Sequence, residues 1–385
     1  MLLMNLIIVL LASLFFSYLA NCIKLPLVVG QLVAGIVIGP ALLNWVKPST
    51  VLEFLAEIGL IALMFLAGLD SNLALLKRYL KPATVVALTG VVVPLFSFLY
   101  LGWQFHYSGQ YTWLLAVLFS ATSVSITAQV LSQYNRLDSV AGVTILGAAV
   151  VDDLLAVLMW AFYAAYFKIN GASGSQPLWL QLMVLLTTLI LLVVFLWQVM
   201  PRLINLINQV DLPGFFGGFC LLFLLGLSYL TEQVGLSSAI TAFLIGLLLA
   251  QSSFKKKIQN QIVPFGENFL IPVFFVGIGL NITFKGQLSQ LLVIVLMTLI
   301  AVFSKWLGAA AGAKIMKINR LDSAMIGTGM VSRGEMALVI ANLALGSNVL
   351  TAKSYATLSI VILLTTIFTP IVLRWQLGIN GRANF

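Results

Sequence analysis

The chain has 385 residues, of which 61% are apolar and only 8% charged, with a mean hydropathy of +1.10. Roughly a quarter of the residues in an ordinary soluble domain are charged, so a water-soluble globular protein is excluded. The net charge of +9 is not a nucleic-acid signature, because the Lys and Arg side chains fall mostly in short segments between apolar stretches.

Those stretches are about 20 residues long, the length that carries a helix across roughly 30 Å of hydrocarbon. Open sheets leave backbone groups unsatisfied in lipid, and barrel strands are shorter and alternate in polarity, so an all-α polytopic membrane protein is expected. In chain order the sequence predicts thirteen spans, over 2–22, 27–45, 53–70, 82–104, 112–133, 140–166, 178–199, 214–231, 235–252, 265–281, 288–314, 323–347 and 353–377. Pro, Gly, charge or polar clusters bound each one. The first lacks a preceding basic segment and reads as a retained helix. Cys22 and Cys220 lie far apart and read as buried small apolar residues.

With the N-terminus outside, most basic residues fall on the cytoplasmic side, including Lys77, Arg78, Lys81 and the Lys255, Lys256, Lys257 run. The external loops would keep only Lys47, Lys168, Lys285 and Lys353. The positive-inside rule therefore predicts an external N-terminus and a cytoplasmic C-terminus in a cell-membrane protein. The lone His106 reads as a solvated residue of a short external loop.

A shift of 211 residues lays the second span on the ninth, the third on the tenth, and the fifth and sixth on the twelfth and thirteenth. It superposes Leu25 on Leu236, Gly35 on Gly246, Gly68 on Gly279 and Asp70 on Asn281. Corresponding spans are an odd number apart, so two six-helix repeats of inverted topology are expected: repeat 1 over about 2–166, a linker helix over about 178–199, and repeat 2 over about 214–377. Inverted repeats are a common architecture of carriers that expose one site alternately to each side.

Five ionisable residues fall near the middle of these spans: Asp152, Asp153, Lys305, Arg333 and Glu335. Unpaired, each would cost roughly 2.5–3.5 kcal/mol, so they must face a cavity, pair or become neutral. For Arg333 and Glu335 an internal ion pair that fixes helix register is expected. The adjacent aspartates diverge by about 100° around the helix and cannot serve one partner in the same way, so two roles are implied. Carboxylates in such a setting exchange protons, and with hydroxyl and carbonyl oxygens they also bind a small hard cation. That combination is antiporter chemistry.

The hydroxyls have a source in the fifth span, where Ser120, Thr122, Ser123, Ser125 and Thr127 crowd its centre. In the corresponding part of the twelfth span runs Val331-Ser332-Arg333-Gly334-Glu335. Both are predicted to be unwound, which would put free carbonyls and half-helix ends at the membrane midplane.

Gly30-Gln31-Leu32-Val33-Ala34-Gly35 with Ile38-Gly39-Pro40, Thr122-Ser123-Val124-Ser125, Ile145-Leu146-Gly147 leading to Val151-Asp152-Asp153, and Ser332-Arg333-Gly334-Glu335-Met336 together resemble the cation:proton antiporter-2 family. The paired aspartates are similar to its NapA-type sodium/proton antiporters, whereas Kef-type potassium systems carry Gln-Asp there. The resemblance implies two discontinuous helices crossing beside the site, a homodimer, Asp153 as principal ion- and proton-binding carboxylate, Asp152 as its assistant, and Lys305 as the cation paired with Asp153 when no metal ion is bound. Thr122 and Ser123 are candidate ligands, and Arg333 and Glu335 structural or coupling charges. No cofactor beyond the transported Na⁺ or Li⁺ and H⁺ is called for, and no soluble regulatory domain is expected. Potassium/proton exchange is the first alternative. An intramembrane aspartyl protease would place its aspartates on separate helices, usually in a Gly-x-Gly-Asp setting, and neither feature occurs.

Overall fold

A computed structural model describes residues 2–167, 178–208, 215–234, 236–252, 254–282, 290–347 and 349–382, and all regular structure among them is helical. The helices are α1 (Leu2–Cys22), α2 (Leu27–Ile38), α3 (Thr50–Leu69), α4 (Leu73–Gln104), α5 (Gly109–Ser120), α6 (Ser125–Gln133), α7 (Val140–Tyr166), α8 (Leu178–Gln198) and α9 (Met200–Asn208). There follow α10 (Phe215–Glu232), α11 (Ser238–Leu249), α12 (Lys255–Phe265), α13 (Ile271–Leu280), α14 (Leu291–Ile315), α15 (Arg320–Gly329), α16 (Glu335–Gly346) and α17 (Ala352–Arg382). A π-helical turn over Gly266–Leu270 joins α12 to α13. Among the described residues, nine helical stretches are long and apolar enough to cross a membrane, counting α5 with α6 and α12 with α13 as one stretch each.

Several ends depart from the sequence expectation for local reasons. The second span was expected to run to 45, but α2 stops at Ile38. Gly39 is extended there and precedes Pro40, whose ring excludes the helical region for the residue before it. The fourth was expected to begin at 82, with Lys77, Arg78 and Lys81 in a loop. Instead α4 begins at Leu73, because the Asn72 side chain accepts from the amides of Ala74 (3.0 Å) and Leu75 (3.3 Å), satisfying groups a bare helix end would leave open. The Lys255, Lys256, Lys257 run likewise opens α12 rather than lying in a loop. Cys220 is buried as expected. Cys22, at the last turn of α1, is exposed.

The helices pack in two sets. In one, α4 contacts α5, α7 and α14, while α14 contacts α15 and α17. In the other, α1 packs on α2, α13 on α2 and α3, and α3 on α11. Two contacts in the second set bring backbones together: a Cβ added at Gly35 would overlap the Val276 carbonyl, and one at Gly246 the Phe65 carbonyl. Only glycine permits so close an approach. The ends of α2 and α11 lie 211 residues apart, as do the last residues of α3 and α13, the last of α4 and α14, and the first of α5 and α15. Asp70 and Asn281 occupy the same place, immediately after the last residue of α3 and of α13.

Candidate ion-binding site

Helix α5 ends at Ser120, and the chain is not helical again until Ser125. Ala121 is extended, and the following Thr122, Ser123 and Val124 include two β-branched residues and two hydroxyls that compete for backbone partners. The second interruption lies between α15 and α16, over Val331, Ser332, Arg333 and Gly334. Both fall where the sequence predicts unwinding.

The two interruptions meet and bond to each other. The Ser123 amide donates to the Ser332 carbonyl at 2.9 Å, and the Ser332 hydroxyl donates back to the Ser123 carbonyl. The Thr127 hydroxyl donates to the Gly329 carbonyl at 2.7 Å, and the hydroxyls of Ser123 and Ser125 lie 2.9 Å apart. A Cβ at Gly334 would overlap the Ser123 side chain, so glycine lets the two unwound segments touch there. Backbone groups that a helix would have satisfied internally are thus paired across the crossing, as burial in a low-dielectric interior demands.

Against this crossing α7 sets its aspartates and α14 its lysine. Asp152 and Lys305 are both fully buried, and Lys305 Nζ lies 3.1 Å from Asp152 Oδ1. The same ammonium donates to the Ser120 carbonyl at 2.6 Å, so it meets the negative end of α5 as well as a carboxylate. The resemblance placed Lys305 on Asp153, whereas the ion pair found here joins it to Asp152. Asp153, turned about 100° further around α7, is only partly buried and lies within electrostatic reach of the same lysine. The two aspartates therefore have different surroundings.

Among the buried polar atoms at the crossing, the acceptors Asp152 Oδ2 and Thr122 Oγ1 have no hydrogen-bond partner. A buried acceptor left open costs roughly 1–3 kcal/mol, more when charged, and marks a place where a cation or water belongs. Arg333 is fully buried inside the second interruption, and its guanidinium reaches main-chain carbonyls. The side chain of Glu335, and with it the expected ion pair to Arg333, lies outside the described residues; its backbone opens α16.

Two cavities approach from opposite ends of α3. One, of about 400 Å³, is lined by Asp70, Gln129, Ser132, Gln259 and Glu267, and borders α6 just after the first interruption. Gln259 Nε2 donates to Asp70 Oδ1 at 3.0 Å. The Asp70 side chain reaches solvent at the rim, yet the loss of water around it holds its carboxyl above the usual aspartate range. Lys255 and Gln259 oppose that rise, and Asp138 adds to it. The other cavity, of about 460 Å³, is lined by Glu53, Glu57, Glu232, Asn281 and Asn342, and borders α16 just after the second interruption. Sequence reasoning did not single out these acids. The pairing of Asp70 with Asn281 under the 211-residue shift was the one signal that touched both cavities.

The chain belongs to the sodium/hydrogen exchanger transmembrane family, whose sequence model matches residues 7–377. It is 37% identical over 368 residues to a Na⁺/H⁺ antiporter of Enterococcus hirae, covering 95% of this chain and 96% of that one. It is 34% identical over 358 residues to the Na⁺/H⁺-K⁺ antiporter GerN of Bacillus cereus, covering 93% and 92%. Among solved structures the fold is similar to that of the sodium proton antiporter MjNhaP1 of Methanocaldococcus jannaschii, with a TM-score of 0.69 at 19% identity over 97% of this chain and 96% of that one. The protein is accordingly a multi-pass membrane transporter, not an enzyme.

Proposed function

We infer that the chain is a secondary active antiporter exchanging Na⁺ or Li⁺ for protons by alternating access. The single observation that carries this reading is the inequivalence of the aspartate doublet: Asp152 is held by Lys305, while Asp153 stands less buried beside it. A cation arriving at Asp153 gathers carboxylate oxygens there, and the open Asp152 Oδ2 and Thr122 Oγ1 supply further hard donors. Ser123, already bonded across the crossing, shapes the site. Protons and Na⁺ then compete for one set of carboxylates, which is what couples their movement.

Lys305 gives the exchange its dependence on voltage. Na⁺ displaces the proton of Asp153 and separates Lys305 from Asp152; the lysine, freed from its carboxylate, gives up a second proton, so the sodium-loaded site carries one positive charge fewer than the proton-loaded site. More than one proton then moves per Na⁺, and 100 mV contributes about 2.3 kcal/mol per elementary charge moved. The two acidic cavities at opposite ends of α3 are the routes by which the site is reached from each side in turn. The constant spacing of helix ends supports the inverted repeat. The charge asymmetry of the loops supports an external N-terminus and a cytoplasmic C-terminus. A homodimer in the cell membrane follows from the family likeness. Arg333 and Glu335 are structural or coupling charges.

Proton flux in vesicles reconstituted with the purified protein, on adding Na⁺, Li⁺ or K⁺, tests this. Release driven by Na⁺ and Li⁺ is expected. Exchange driven by K⁺ is the second reading, favoured by the 34% identity to GerN, whose description includes K⁺. Release driven by K⁺ alone would replace the sodium assignment.

A further inference from the structure

The other buried cation among the described residues, Arg333, is bound quite differently from Lys305. Its Nη1 donates to the Val331 carbonyl at 3.0 Å and the Met330 carbonyl at 3.3 Å, just past the end of α15. Its Nη2 donates at 3.4 Å to the carbonyl of Ala301, one turn before Lys305 on α14, and Nε has no partner. The Thr366 hydroxyl of α17 donates to the carbonyl of Arg333 itself. A planar guanidinium held on three carbonyls stays in place, whereas a lysine ammonium on a four-carbon stem can swing. The charged residues within electrostatic reach of it are Lys305 on α14 and Asp152 on α7. Arg333 acts electrostatically on both Asp152 and Lys305.

We propose that Arg333 is a positioning residue for ion exchange: it holds the second interruption against the turn of α14 that carries Lys305, and it supplies a standing countercharge that lets Lys305 leave Asp152 when a cation arrives. The proposal rests on the antiporter reading above. Separating one partner from a buried ion pair leaves a charge uncompensated, and that is expensive unless another cation stands nearby. Without Arg333, Lys305 clings to Asp152 and Na⁺ meets a stronger rival. Cation affinity falls, while Asp153 is untouched.

The test is Na⁺-driven proton release in vesicles by the wild type, Arg333→Gln and Arg333→Lys. Neutralising the side chain should raise the Na⁺ KM about tenfold with kcat within about twofold, and the lysine, which keeps the charge, should bring KM back to within about threefold of wild type. In the Lys305→Gln background, Arg333→Gln should leave KM where Lys305→Gln alone puts it, since the rival is already gone. An unchanged KM in Arg333→Gln, or a tenfold rise in Arg333→Lys, overturns the proposal. Where the glutamine variant does not fold, Arg333→Met, neutral and of similar length, takes its place with the same expected rise in KM. Wild-type vesicles without Na⁺-driven release would sink the function reading itself, so the two failures are distinguishable.

Discussion

The two helix interruptions are alike in backbone and unlike in how their charge is balanced. Each ends a helix near the middle of the fold and turns carbonyls inward, and Ser123 and Ser332 bond one interruption to the other. At the first, the exposed helix end is met by a lysine from a different helix, which also holds a carboxylate. At the second, it is met by an arginine from the interruption itself, whose partners are carbonyls. A cation borrowed from elsewhere can be exchanged for another ion, and one built into the same turn cannot. On the proposed reading the first interruption is the place where ions bind, and the second is the fixed frame against which they bind.

The strongest way to break that contrast is at the doublet. Asp153→Asn should abolish Na⁺-driven proton release in vesicles, while Asp152→Asn, which leaves Lys305 without its partner, should impair it severely or weaken apparent Na⁺ affinity. Wild-type exchange in Asp153→Asn would remove the assignment. Next comes the frame. Gly334→Ala places a methyl group where the Ser123 side chain lies, so the crossing must open. Overpacking of this kind costs about 1–3 kcal/mol. A lower melting temperature in detergent and at least a tenfold loss of transport are expected, and an unaltered protein would mean the crossing tolerates separation.

Lys305→Gln sharpens the contrast instead of destroying it. The protein should stay folded, and exchange should become slower or electroneutral with a shifted pH optimum, read as transport current against membrane potential. Full electrogenic activity in this variant would reduce Lys305 to a structural ion pair.

The smallest effect is expected at Asp70. Burial raises its carboxyl above the ordinary value of 3.8, so the charged form costs more in the folded chain than in the unfolded one. The stability linked to its proton is fully present below that value and is lost as pH rises through the folded-state value. Asp70→Asn removes the charge and should raise the melting temperature slightly at pH 7 relative to wild type. The difference should vanish once the pH falls below the ordinary aspartate value, where the carboxyl is protonated in the folded and unfolded chain alike. An advantage that persists in acid would point to a cause other than the charge.

The doublet, Lys305, the hydroxyl run around Ser123 and both interruptions were legible in the sequence because each sets polar or charged groups in an apolar stretch, where they stand out. The partner of Lys305 was not. Adjacent aspartates must face different ways, but only the placement of α14 decides which of them it meets. The environment of Arg333 was hidden for a related reason: a sequence displays charged side chains as candidate partners, whereas an unwound segment offers main-chain carbonyls that no side chain announces. The acids of the two cavities, Glu53, Glu57, Glu232, Asp70 and Glu267, sit toward span ends, where charge does not stand out from its surroundings, and only the course of α3 between them groups them into two cavities. The stop of α2 before Gly39-Pro40 was written in the chain, and was masked by the apolar residues that follow.

The central claim is that one pair of carboxylates holds either protons or Na⁺, with Lys305 making the exchange charge-moving. It is tested most directly by measuring the transport current that Na⁺ elicits in vesicles of the wild-type protein over a range of pH. The account predicts a voltage-dependent current whose half-saturating Na⁺ concentration rises as the pH falls, because protons compete for the same oxygens. A voltage-insensitive exchange, or a half-saturating concentration that does not change with pH, would contradict it.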